Sequence, residues 1–223
     1  SAGGRVETKV GVISIESPVR RQHHEMFDFE QMNRICAYAR ENNIKLHLDG
    51  ARLFNMPHHS GKQITDYTSL FDTVYVSLWK CFNAASGAVL AGTKQFTEGL
   101  FHVRRMFGGS LPQAWPCVAV AVRFADNYLA EYSKAWRSAD RFFSLLQENT
   151  RFKMVKNPRG TSIVQLTVEG IDPEKFVARL LSRDIVLSHP QKETGAFWLT
   201  VNTTLNRITP NDLAGSFLAA VGS

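Results

Sequence analysis

The amino-acid order predicts an α/β protein. A mostly parallel sheet is expected in a larger part, residues 1–149, and a small α+β domain in residues 150–223. Three observations carry this. Short strand-like runs recur along the first half, the first of them β-branched, and an amphipathic helical stretch separates the first two. A strand, helix, strand order implies parallel pairing through a crossover. A turn-rich joint, Asn157-Pro158-Arg159-Gly160, then precedes a tail in which strands and helices alternate on a smaller scale.

Taken in order, Val10 to Ile15 reads as a buried strand, followed by an irregular polar stretch from Glu16 to Glu25. Asp28 has the character of a helix N-cap, with Gln31 three residues on. Phe29, Met32, Ile35, Cys36 and Ala39 then recur at helical spacing, and Asn42-Asn43 ends the helix. Ile44 to Leu48 is the second strand, Val74 to Leu78 the third, and Ala88 to Ala91, bracketed by Gly87 and Gly92, the fourth. Trp115 to Asn149 is helical, as two helices or one with a bend, opened by Pro116 at a tolerated first-turn position. In the tail, Ser162 to Val168 is a strand, and Asp172-Pro173 opens a helix to Ser182. Ile185 to Ser188 and Phe197 to Asn202 are further strands, and Thr209-Pro210 caps a last helix to about Val221.

Composition narrows the function classes. Of the 223 residues, 44% are hydrophobic and 21% charged, which suits a folded globular chain and argues against disorder. No apolar run reaches the roughly 18 residues of a membrane span, and the first residues lack the apolar core of a signal peptide. Cys36, Cys81 and Cys117 are odd in number and widely spaced, so free thiols in a reducing, cytoplasmic setting are expected. The net charge of +6 is spread along the chain, and Arg104-Arg105 is too short for a nucleic-acid patch. His23-His24 and His58-His59 have poor spacing for a metal and read as loop histidines in solvent. Trp115 and Trp136 read as core or subunit-interface anchors, and Cys81 as a small apolar residue.

Chemistry is expected where strands end. His47-Leu48-Asp49-Gly50-Ala51-Arg52 places an acid and a base just past the second strand, and Ser77-Leu78-Trp79-Lys80 a lysine at the end of the third. In open parallel sheets, ligands bind outside the carboxyl ends of the strands. Taken singly, Asp49 reads as a turn former and Lys80 as a solvated strand end. Together, with Arg52 beside them, they read as a site, because a buried ammonium is too costly to be there for packing.

The run His47 to Asn55 resembles the aspartate motif of the threonine aldolase and β-eliminating lyase family. Ser77-Leu78-Trp79-Lys80 with Gly87 to Gly92 resembles that family's cofactor-lysine segment, thirty-one residues separating Asp49 from Lys80. Arg104 to Gly109 with Gln113 resembles the glycine pair that follows it, and Glu16-Ser17-Pro18-Val19-Arg20 an aldolase-like branch with Glu-x-Pro-x-Arg. The resemblance implies part of a pyridoxal-phosphate-dependent, fold-type I large domain, with the small C-terminal α+β domain after it. It implies a lyase that cleaves β-hydroxy amino acids to glycine and an aldehyde, or a β-eliminating or other enzyme with the same cofactor. A non-catalytic assembly piece is a third reading.

By the same resemblance Lys80 carries the cofactor, Asp49 meets its pyridine nitrogen, Arg52 its phenolic oxygen and Ser77 its phosphate. Arg105 is a further cofactor contact, and a homodimer or homotetramer is implied. The family's N-terminal portion, with a glycine-threonine phosphate turn and a ring-stacking aromatic or histidine, has no counterpart here. The chain is therefore expected to be a fragment, inactive alone. Pro112 stands where the family has a basic residue, and Phe197 to Asn202 lacks the family's carboxylate-binding arginine, leaving Arg207 as the nearest candidate for substrate binding.

Overall fold

The computed structural model describes residues 8–222. They divide into two compact units, one of residues 8–20 and 26–126 and the other of residues 21–25 and 127–222.

The first unit holds β1 (Val12–Glu16), α1 (Phe29–Glu41), β2 (Lys45–Asp49), α2 (Met56–Ser60), α3 (Ile64–Thr68) and β3 (Thr73–Ser77). After these come α4 (Leu78–Cys81), β4 (Ala88–Gly92), α5 (Lys94–Thr97), α6 (Leu100–Met106) and α7 (Trp115–Ala125). The strands lie in the order β1-β2-β3-β4. β1, β2 and β3 run parallel, and β4 returns antiparallel to β3. The cap expected at Asp28 is present, its carboxylate accepting the Gln31 N–H at 2.8 Å. Met32, Cys36 and Ala39 of α1 are fully buried and pack in one core with Leu46 and Leu48 of β2. Asn43, left-handed at φ 55°, turns the chain out of α1 into β2.

The second unit holds α8 (Tyr128–Gln147), β5 (Phe152–Lys156), β6 (Ile163–Val168), α9 (Pro173–Leu181), β7 (Phe197–Thr200) and α10 (Pro210–Val221). β5, β6 and β7 form an antiparallel sheet in that order. Its core is aromatic: the Phe176 ring centroid lies 5.8 Å from that of Phe197 and 5.6 Å from that of Phe217. Phe142 of α8 meets Phe217 edge-on at 5.0 Å. Asp172 and Thr209 cap α9 and α10 as expected, accepting from the N–H groups of Lys175 and Asp212.

Several expectations differ from the structure. α8, counted with the first part in the sequence reading, groups with the second unit because it packs on β5 and α10. Ile185 to Ser188 forms no strand. Asp184 leaves α9 at φ 60°, and the Ile185 N–H is taken by the Leu180 carbonyl at 3.0 Å, so a ladder donor is lost where the strand would begin. Phe152 to Lys156 forms a strand, β5, although its alternation is broken by the exposed Val155 and by Lys156. His23 and His24 are not simply solvated: the His23 ring stacks on Trp198 at 4.0 Å, and His24 Nδ1 lies 2.7 Å from Ser162 Oγ. Trp136 is a core residue, one of the two places expected for it, with its indole N–H donating to Tyr132 Oη at 2.9 Å, and Trp115 is 68% exposed.

A charged cluster at the carboxyl ends of three parallel strands

Parallel pairing brings the ends of β1 and β2 level, and β3 runs two residues past them to Ser77. Glu16, the last residue of β1, is opposite Asp49, the last of β2, and Asp49 is opposite Tyr75 of β3. The turn after Asp49 is tight. The Gly50 N–H donates to the Tyr75 carbonyl at 2.9 Å, and the Leu53 N–H to the Gly50 carbonyl at 2.8 Å. A side chain at position 50 would stand 3.1 Å from both the Tyr75 oxygen and Leu53 Cβ, a fit tight enough to favour glycine. Asp49 Oδ1 accepts the Ala51 N–H at 3.1 Å, which aims the carboxylate along the turn. Arg52 follows, partly buried.

β3 ends at Ser77 and passes directly into α4, which carries Lys80 on its first turn. The Leu78 N–H bonds the Gly87 carbonyl at 3.0 Å, with Gly87 at φ 105°, and this closes the loop between α4 and β4. Lys80 Nζ lies 4.5 Å from the centroid of the Trp79 ring, a cation–π contact. Burial holds the Lys80 amine below the ordinary lysine value, the charges of Arg52 and Arg20 add to the effect, and Asp49 and Glu16 oppose it. Burial likewise lowers Arg52, against the nearby Cys81, Glu16 and Asp49. Acid, guanidinium and amine thus act on one another in a partly dry site, where charges interact more strongly than in water.

Ser77 is fully buried, and its hydroxyl has no hydrogen-bond partner in the structure. An orphaned buried hydroxyl is costly. A phosphate oxygen at this strand end would satisfy it, and in this respect the residues present fit the phosphorylated cofactor that the aspartate and lysine motifs imply. Cys81, beside Lys80, is buried with its thiol 3.8 Å from Asn55 Oδ1, a packing contact.

The structure therefore brings Asp49, Arg52, Ser77 and Lys80 to one end of the sheet. Arg105 is elsewhere, on the exposed helix α6, with its guanidinium 5.6 Å from the Phe101 ring. Arg207 belongs to the second unit, where it lines a cavity of about 650 Å³ with Trp198, Asp184 and Phe217. Glu16 and Arg20 share the neighbourhood of Lys80 without having been assigned to the site from sequence. The signal available for Glu16 was its position, since it ends β1 as Asp49 ends β2.

Residues 3–168 match the beta-eliminating lyase family. The chain is 33% identical over 168 residues to the low-specificity L-threonine aldolase of Candida albicans, a match covering 74% of this chain and 44% of that protein. It is 28% identical over 184 residues to the enzyme of the same description from Saccharomyces cerevisiae, covering 79% of this chain and 45% of that one. In length, then, the chain spans about half of the curated relatives it matches. Among solved structures, a Listeria monocytogenes protein provisionally assigned as an L-allo-threonine aldolase superposes with a TM-score of 0.78 at 22% identity. That superposition covers 97% of this chain and 62% of the other, and it shows a shared fold.

Proposed function

This chain belongs to the beta-eliminating lyase family, and from that premise we propose that it forms the lysine-bearing part of a pyridoxal-phosphate-dependent lyase. The proposed reaction cleaves the bond between the α and β carbons of a β-hydroxy amino acid, releasing glycine and an aldehyde. The observation that carries this reading is the gathering of Asp49 and Lys80 at the carboxyl ends of adjacent parallel strands, with Arg52 close enough for its charge to act on Lys80.

Each side chain has a task its surroundings suit. Lys80 would hold the cofactor aldehyde through Nζ, and its lowered proton affinity supplies more free amine at neutral pH than an exposed lysine would. Asp49 holds a proton on the pyridine nitrogen, as a carboxylate fixed by its own turn. Arg52 would hydrogen-bond the phenolic oxygen, and Ser77, whose hydroxyl is unpartnered, would donate to the phosphate. When bound, the cofactor supplies the electron sink for the carbon left behind by bond cleavage. The Lys80 amine, held in the same cluster, would also be the group to move a proton to or from the substrate.

An amino-acid lyase of this kind works in the cytoplasm and assembles as a homodimer or homotetramer. The second part of that reading is supported by α6 and the loop after it, where Phe101, Met106 and Phe107 are 58%, 79% and 84% exposed. Apolar side chains so exposed and so close in sequence mark an interaction surface, and Arg105 with the Gly108-Gly109 turn lies among them.

β-Elimination is the second reading, favoured by the absence of an arginine in β7, where Trp198 is found. One experiment separates the two. The protein as its gene encodes it is supplied with cofactor and either L-threonine or an amino acid carrying a leaving group at its β carbon. Glycine and acetaldehyde from the first support the aldol reading; ammonia and a keto acid from the second, with no glycine from the first, overturn it.

A further inference from the structure

The loop that leaves β1 is pinned at every step. The Ser17 N–H donates to the Asp49 carbonyl at 3.1 Å. The Ser17 hydroxyl accepts the Phe27 N–H at 3.1 Å and lies 3.5 Å from Met56 Sδ. Ser17 is fully buried and Pro18 is buried beside it, so the turn has no room to swing. The Glu16 carboxylate then accepts the backbone N–H of Arg20 at 2.8 Å. Glu16 is in register with Asp49, and this one carboxylate therefore ties the start of the loop to the strand end that bears the site.

What this scaffold presents is the Arg20 side chain. It is exposed, and among the described residues no carboxylate pairs with its guanidinium. It is nevertheless close enough for its charge to act on both Lys80 and Arg52. A rigid backbone, a carboxylate used on the backbone N–H, and a guanidinium left unpaired beside a reactive amine describe a cation held for an anionic ligand.

We infer that Arg20 receives the α-carboxylate of the amino-acid substrate at the β1 side of the site, an inference that rests on the lyase reading above. Position decides between the anions on offer. In that reading the phosphate is drawn to Ser77 on β3 and the ring nitrogen to Asp49 on β2. β1 lies two strand spacings from β3, about 10 Å, too far for one phosphate to meet both Ser77 and the end of β1. The group left for the β1 side is the charge carried by the substrate. The α-carboxylate remains on the amino acid before and after its side-chain bond is cut, so a fixed cation serves both states. A guanidinium also matches a carboxylate through two parallel N–H donors.

The test uses the gene-encoded protein loaded with cofactor, titrated with glycine and with glycinamide while the cofactor's visible absorbance reports binding. Wild type is compared with Arg20→Gln and Arg20→Lys. Arg20→Gln is expected to weaken glycine by roughly 10- to 100-fold, the scale of one charge-assisted pair, and to leave glycinamide and cofactor retention unchanged. Arg20→Lys should recover part of the loss. Equal weakening of glycine and glycinamide would mean that Arg20 only supports the loop, and a loss of cofactor retention that it serves the phosphate; either overturns the inference. A wild-type protein that holds cofactor but binds no amino acid removes the lyase reading as well, a result distinct from those seen only in the variants.

Discussion

Asp49 Oδ1 accepts the backbone N–H of Ala51 at 3.1 Å, so one carboxylate shapes the turn after β2 and stays close enough to Lys80 for its charge to act there. The two tasks use different properties of the group. The turn needs an acceptor oxygen; a protonated pyridine needs a negative charge. Asp49→Asn keeps the first and loses the second, whereas Asp49→Ala loses both. Asn is expected to leave folding stability nearly unchanged and Ala to lower it by about 1 kcal/mol, the scale of a lost local side-chain-to-backbone bond. Both should reduce kcat by roughly a hundredfold or more, about 2.7 kcal/mol in the barrier, with cofactor still on Lys80. Parallel measurement of kcat, cofactor occupancy and thermal unfolding checks this. A near-normal kcat in Asp49→Asn at full occupancy would leave Asp49 as a turn former alone.

Lys80 carries a pH prediction with a definite sign. Its folded value lies below the ordinary 10.5 of lysine, by burial first and then by Arg52. The free amine is the form that attacks the cofactor aldehyde, so the capture rate should climb with pH and level off before the pH at which an exposed lysine would. Arg52→Gln removes a positive neighbour, which raises the Lys80 value and moves the midpoint of that climb to higher pH. Stopped-flow absorbance across pH measures both midpoints. Borohydride fixation and peptide mapping should find the label on Lys80, and a label on Lys94 would refute the assignment.

Much of this site was legible because its chemistry lies where periodicity breaks. Asp49 and Lys80 each follow a short strand-like run, and a charge at such a junction has few structural uses. β1, β2 and β3 were legible for the same reason, and α1 from its cap at Asp28. The remainder depended on long-range pairing. β4 has no local feature that fixes its antiparallel direction; its partner β3 does. β5 is obscured by Val155 and Lys156, which break its alternation, and exists because Phe152 to Lys156 pairs with β6. Ile185 to Ser188 has strand composition, yet its first N–H is used to finish α9. Arg20 gave a motif but no role, because only the hydrogen bond from its N–H to Glu16 places it beside Asp49.

Gly50 is a steric hinge for the site. Gly50→Ala would put a methyl 3.1 Å from both the Tyr75 carbonyl oxygen and Leu53 Cβ, contacts that backbone must yield to relieve. A stability loss of about 1–3 kcal/mol is expected, the range for forcing extra volume into a packed position. The displaced turn carries Asp49 and Arg52, so kcat per folded molecule should fall as well. Thermal unfolding and kcat normalised to folded protein test the two parts, and a variant unchanged in both would show that this turn has slack.

Ser77 yields a prediction in which two measurements move in opposite directions. Its hydroxyl is buried at the end of β3 and has no partner in the protein. In cofactor-free protein that group is a cost, because water was given up and nothing replaced it; unsatisfied buried polar groups cost about 1–3 kcal/mol. Ser77→Ala removes the hydroxyl and leaves a space too small to hold water, so apo stability should stay level or rise by up to about 1 kcal/mol. With cofactor bound, the same change deletes a donor to the phosphate. A hydrogen bond to a charged group contributes about 1.5–3 kcal/mol, so retention should weaken roughly 10-fold or more. A merely structural serine predicts the reverse pattern, a loss of apo stability and no effect on retention. Unfolding of apo Ser77→Ala, followed by dialysis of the loaded variant with absorbance to report retained cofactor, decides between them. Lower apo stability together with unchanged retention would take Ser77 out of the phosphate site.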